Sequence, residues 1–243
     1  MGATDKPIAL VIGAGDHLGG AIARRFAREG FHLVVTRRRG DLQALSTEIS
    51  ALGSSATTIH SDARDEDQVS ELIGRVESEL GPIRVVVFNV GGNVQFDICD
   101  TTTRIYRKVW EMCALAGFLV GREVAKKMLP RNEGTILFTG ASASLRGGRG
   151  FAAFAGGKHA LRALAQSMAR ELGPQGIHVG HVVIDGLIRN EATAEILPDL
   201  YASKGEEGII EPDDLAEIYW QLHKQPRSAW TFEQDARPFS ESW

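Results

Sequence analysis

Short apolar runs alternate with amphipathic stretches along the chain, and the alternation predicts strands and helices in turn. Residues 8–12 (IALVI) form a continuous apolar run of strand length that leads straight into a glycine-rich turn. Behind the turn, Leu18, Ala21, Ile22 and Phe26 recur at helical spacing, so 17–29 reads as a helix with Gly30 just past its end. The same rhythm predicts strands at 31–36, 56–60, 84–88, 134–139 and 177–184. It places helices at 41–52, 65–80, 103–128 and 151–172, stopped by Gly53, Gly81-Pro82, Pro130 and Gly173-Pro174 respectively. Past Gly186 the rhythm breaks, with helices expected at 192–197 and 212–222 and a short strand at 231–235.

Apolar strands alternating with helices imply right-handed βαβ units in a parallel sheet covered on both faces. The expected fold is α/β, a three-layer, doubly wound and mostly parallel sheet of about seven strands. No linker, repeat or low-complexity segment interrupts the interior, so 1–243 is expected to be one domain. The tail, about 186–243, is expected to cover one edge of a cleft. At 243 residues and 43% hydrophobic content the chain can bury a sizeable core.

Charge and cysteine usage narrow the function classes. A net charge of -4 exerts no general pull on nucleic acid or anionic membranes. The longest apolar runs are strand-sized, far short of the roughly 20 residues of a membrane span, and 1–7 lacks the apolar core of a signal peptide. Cys99 and Cys113 read as free thiols in a reducing compartment, so a cytoplasmic location is expected. None of the seven histidines forms a ligand pair such as H-E-x-x-H, and no metal site is expected.

The turn after the first strand is Gly13-Ala14-Gly15-Asp16-His17-Leu18-Gly19-Gly20. Glycines there let the backbone turn tightly and approach a pyrophosphate, while the helix start offers free N–H groups and a positive dipole end. Gly13, Gly15, His17, Leu18 and Gly19 are therefore the expected phosphate contacts of a Rossmann-type dinucleotide site. At the end of the second strand a carboxylate would bind the ribose of NAD and repel a 2′-phosphate. This chain has Thr36-Arg37-Arg38-Arg39 there, which selects NADP over NAD, because a guanidinium fork matches phosphate oxygens. Asp62 and Ala63, just after the third strand, are placed to meet the adenine.

The chain at this point resembles the short-chain dehydrogenase/reductase family over nearly its whole length. The family's Thr-Gly-x-x-x-Gly-x-Gly motif falls on Ile12, Gly13, His17 and Gly19, and its Asn-Asn-Ala-Gly motif on Phe88, Asn89, Val90 and Gly91. The stretch from Gly157-Lys158-His159-Ala160-Leu161 to Gly176-Ile177 is similar to its catalytic helix and the strand behind, and Asp185-Gly186 replaces its Pro-Gly turn. The resemblance implies further NADP contacts at Asn89, Gly91, Lys158, Gly186 and Ile188, and a homodimer or homotetramer built on the helices at 103–128 and 151–172.

Most of the family's catalytic groups are missing. The tyrosine expected four residues before the lysine is Phe154, and the enoyl-reductase spacing gives Phe151. The expected serine is Ala141, flanked by Ser142 and Ser144, and the expected asparagine is Ala114. Lys158 remains, and with Ser142 it forms the candidate catalytic pair; the two serines otherwise serve to cap the following helix. Arg146 and Arg149 either meet an acidic substrate or stay solvated or paired at a subunit contact. The implied function is an NADP-dependent oxidoreductase that delivers hydride to a small carbonyl, enone, enoyl or imine acceptor by an altered mechanism. The alternative is an NADP-binding protein, a cofactor sensor or binding module, that has lost turnover.

Overall fold

The computed structural model describes residues 4–196 and 198–242. Seven strands form one sheet: β1 (Ile8–Ile12), β2 (His32–Arg37), β3 (Ser55–His60), β4 (Ile83–Phe88), β5 (Gly134–Thr139), β6 (Ile177–Ile184) and β7 (Glu233–Ala236). Every pairing is parallel and the order is β3-β2-β1-β4-β5-β6-β7. The chain reverses its direction of travel across the sheet between β1 and β4, which opens a crevice outside their carboxyl ends.

The continuous apolar run of β1 follows from burial on both faces. Ile8, Leu10 and Ile12 pack into one core layer, Ala9 and Val11 into the other. The first layer lies under α3 (Glu66–Arg75), α5 (Ala116–Met128) and α6 (Ala152–Leu172). The second lies under α1 (Leu18–Arg28), α2 (Gln43–Ala51) and α9 (Pro212–His223). On α1, Leu18, Ala21, Ile22 and Phe26 are all buried, as their spacing requires.

The helix expected at 103–128 is interrupted. It runs as α4 (Thr103–Trp110), then a single π-helical turn (Glu111–Leu115), then α5. The extra residue of that turn changes the helix phase and buries Cys113 and Ala114. A second π turn (Val76–Leu80) closes α3 before Gly81.

The tail also differs from the expectation of an appendage. α9 lies against α1, where Phe26 meets Trp220 edge-on at 5.5 Å, and β7 continues the parallel sheet beside β6. Only the part with α7 (Glu191–Ile196) and α8 (Pro198–Lys204) stands apart from the layers, joined to the strand ends by an Ile188–Ile210 bridge. The end of the expected 192–197 helix, Leu197, lies outside the described residues. No helix among the described residues is long and apolar enough to cross a membrane.

Candidate functional site

Two adjoining cavities of ≈ 400 and ≈ 330 Å³ follow the carboxyl ends of the central strands and share Gly13, Asn89 and Gly91. The larger gathers Gly15, His17, Leu18, Gly19, Ser142, Lys158, Gly186 and Ile188; the smaller gathers Arg37, Arg38, Asp62 and Ala63. All the residues expected from sequence thus converge on one crevice at the switch in strand order.

Two glycines of the turn are required by its shape. Gly13 has φ +83, and a Cβ there would stand 2.7 Å from the Asn89 carbonyl oxygen. A Cβ on Gly19 would stand 2.4 Å from the Gly13 carbonyl oxygen, so α1 can start this close to β1 only without a side chain. The Asn89 amide donates to that same Gly13 carbonyl at 3.2 Å and ties the turn to β4. His17 precedes α1 with φ -97 and without a side-chain cap, leaving the first N–H groups of the helix unclaimed by it.

At the adenine end the arginines are not equivalent. Arg37 donates to Asp16 Oδ1 at 3.1 Å and to the Asp41 carbonyl, which folds its guanidinium back onto the turn. Arg38 is looser, with 3.8 Å between its Nη1 and Asp62 Oδ2. Asp62, expected to meet adenine, binds Arg64 through both carboxylate oxygens, at 2.9 and 2.5 Å. Those bonds hold its carboxyl below the usual range against the opposing effect of burial. Arg64 was not anticipated, although a third arginine two residues beyond Asp62 was visible in the sequence.

At the opposite end, Lys158 is 3% exposed and so is no surface lysine of α6. Its ammonium nitrogen lies 2.7 Å from the Thr139 carbonyl oxygen and 5.8 Å from the centre of the Phe154 ring. Burial pushes its pKa down. Phe154 and Ala141 line the same cavity, together with Asn93, which sequence reasoning missed. The Thr139 hydroxyl is taken by the buried Tyr219 hydroxyl at 2.7 Å.

The loop serines do not cap α6, whose N-terminal flank is Phe151 without a side-chain cap. Ser144 is buried and accepts the Ala141 N–H at 3.1 Å, closing its own short turn, whereas Ser142 lines the cavity. Arg146 is exposed but not free. It grips both oxygens of the buried Asp185, at 3.1 and 3.0 Å, pinning the serine turn to the end of β6.

A family model described as short chain dehydrogenase matches residues 7–200. Among solved structures, a short-chain dehydrogenase from Rhodopseudomonas palustris is 47% identical, with a TM-score of 0.84 over 96% of this chain and 99% of that one. A metagenomic short-chain oxidoreductase in complex with NADP is 25% identical, with a TM-score of 0.81 over 97% and 98% of the two chains. Of curated relatives, the 1-deoxy-11-beta-hydroxypentalenate dehydrogenase of Streptomyces exfoliatus is 29% identical over 94% of this chain and 84% of its own length.

Proposed function

The chain belongs to the short-chain dehydrogenase family, and from that premise we propose that it is an NADP-dependent oxidoreductase whose acceptors need no proton on oxygen from the enzyme. A conjugated enone or enoyl compound, or an already protonated imine, meets that condition. The observation that carries the reading is the Phe154 ring beside Lys158 inside the larger cavity. A phenyl ring cannot donate a proton. Among the described residues lining that cavity there is no tyrosine, carboxylic acid or thiol, and the side chains there that carry a transferable proton are His17, Thr139, Ser142 and Lys158.

The residues fit a dinucleotide on three counts. The glycine turn leaves room for a pyrophosphate at the start of α1, the two cavities adjoin at Gly13, Asn89 and Gly91, and arginines rather than a carboxylate stand at the end of β2. NADP also fits the related metagenomic oxidoreductase, whose solved complex contains it. Gly13, Gly15, Leu18 and Gly19 would hold the phosphates, Arg38 with Arg37 the 2′-phosphate, and Asn89, Gly91, Gly186, Ile188 and Lys158 the nicotinamide half. When bound, the cofactor supplies the hydride. The protein's part is to hold the acceptor between Phe154, Ser142 and Asn93 and to keep water from the transfer. Orienting the two reactants can itself lower the barrier by roughly 7–11 kcal/mol, which exceeds what a missing acid withholds.

A second reading, an NADP-binding protein without turnover, is favoured by the combined replacements at Ala114, Ala141 and Phe154. Assembly into a dimer or tetramer through the long helices is supported by the exposed Tyr106, Trp110 and Phe118 on α4 and α5.

Titrations with NADPH and NADH test the cofactor assignment. NADPH should bind more tightly, and Arg38→Asp should weaken it by about 10- to 100-fold, the loss of a charge-assisted bond, while NADH binding changes little. Equal affinities in the unmodified protein would sink the assignment. His17 has a negative φ and no need of glycine's freedom. His17→Gly should therefore leave NADPH affinity within a few fold, and a large gain would mean that the imidazole obstructs the phosphates.

A further inference from the structure

Asp62 is the only carboxylate among the described residues lining the smaller cavity, so it is the natural acceptor there for the amino group of an adenine. Its lone pairs are already spent. A carboxylate accepts at about four positions, two on each oxygen. Oδ1 takes the Arg64 backbone N–H at 3.1 Å and the Arg64 Nε–H at 2.9 Å. Oδ2 takes Arg64 Nη2 at 2.5 Å, with Arg38 Nη1 3.8 Å away on the same oxygen. A neutral amino group reaching for Asp62 would have to displace a guanidinium that carries full charge and meets both oxygens at once.

The other side-chain oxygens of that wall do not stand in for it. Thr36 and Ser61 are buried, the Ser61 hydroxyl sealed from solvent. Asn89 is tied to Gly13 where the two cavities join. What the wall offers a base is donors. Arg64 lines the cavity and spends its Nε–H and one N–H of Nη2 on Asp62. Both N–H groups of Nη1 and the second of Nη2 have no hydrogen-bond partner among the described residues.

The polarity of a purine edge decides what such a wall accepts. Adenine presents a donor, its amino group, beside the acceptor N7. A 6-oxopurine presents acceptors at both places, and a guanidinium meets O6 and N7 as a pair.

We propose that Arg64 is the base-reading residue of the cofactor crevice, and that by occupying Asp62 it lets the site take a 6-oxopurine dinucleotide at least as well as the adenine form. The inference rests on the reading of the crevice as an NADP site and names the group that meets the base.

The test is a pair of fluorescence titrations, with NADPH and with reduced nicotinamide hypoxanthine dinucleotide phosphate. The two differ only at the base, and the reduced nicotinamide reports on both. The unmodified protein should bind the hypoxanthine form at least as tightly as NADPH. Arg64→Met frees Asp62 to accept an amino group, and it should turn the preference to NADPH by about 10-fold, the usual discrimination of one base-edge contact. Asp62→Asn should not weaken NADPH. A clear preference of the unmodified protein for NADPH would overturn the proposal, as would an unchanged preference in Arg64→Met. So would a loss of NADPH affinity in Asp62→Asn that spares the hypoxanthine form, because Asp62 would then be the reader. Each of those results leaves the NADP site standing. Binding of neither nucleotide would remove that site, and this inference with it.

Discussion

Phe154→Tyr, Ala141→Ser and Ala114→Asn introduced together should raise reduction of simple ketones, with a ceiling of about 10²- to 10⁴-fold, the usual worth of a positioned general acid. Phe154 and Ala141 already line the cavity, and the Ala141 backbone is fixed by its bond to Ser144. A tyrosine hydroxyl and a serine hydroxyl would thus be added to a frame that exists. Ala114 is the harder position, since it is buried within the π turn and an amide there must find partners. Each substitution alone should do little, because groups that act as a unit are far from additive. kcat/KM for a series of small ketones is the quantity to compare, with NADPH affinity as the control. No gain in the triple variant, with cofactor binding intact, would show that more than the acid is missing.

Acidification should destabilise the fold through the buried His181 and the partly buried His223. Burial pushes His181 and His223 down to about 4, whereas a histidine in the unfolded chain titrates near its ordinary value of about 6.5. Between those values the unfolded state holds more protons, so stability falls as pH falls through this window and the loss levels off once the folded histidines charge. For His181 the loss approaches about 3 kcal/mol near the bottom of the window. His181 bonds Glu233 at 2.9 Å, and that carboxylate is also bound by Arg162, so protonation of His181 gains only part of an ion pair. His223 bonds Thr135 and lies near His178 and Glu133, and it acts in the same direction. Urea unfolding at about pH 7 and about pH 5 measures the effect, and His181→Gln should flatten it. Equal stability at the two values would contradict the burial assigned to these rings.

The central sheet was legible because β1, β4, β5 and β6 are buried on both faces and mostly apolar. β1, β5 and β6 fall on their expected bounds, and the glycine turn marks where the ligand crevice must open. The π turn at Glu111–Leu115 was not legible, since a one-residue change of phase leaves no trace in a helical apolar pattern that is already irregular. In the tail, α9 and β7 fall near the helix and strand expected at 212–222 and 231–235, but that β7 joins the sheet was not legible, because it is short and polar (EQDA) and its place is set by pairing with β6. In the site, positions could be read but bonds could not. Arg37 and Arg38 are adjacent in sequence, yet one is folded onto Asp16 and the other faces Asp62. The pairing of Arg146 with Asp185 links segments far apart in the chain, which no local pattern announces. That Phe154 stands where a tyrosine is expected, four residues before Lys158, is what the family resemblance implies.

That replacement is the centre of the account, and steady-state kinetics of the unmodified protein test it most directly. With NADPH as donor, kcat/KM should be higher for conjugated enones and iminium-like acceptors than for saturated ketones of the same size. Vigorous reduction of the saturated ketones would contradict the reading and assign the proton transfer to Lys158, Ser142 or His17, which line the same cavity.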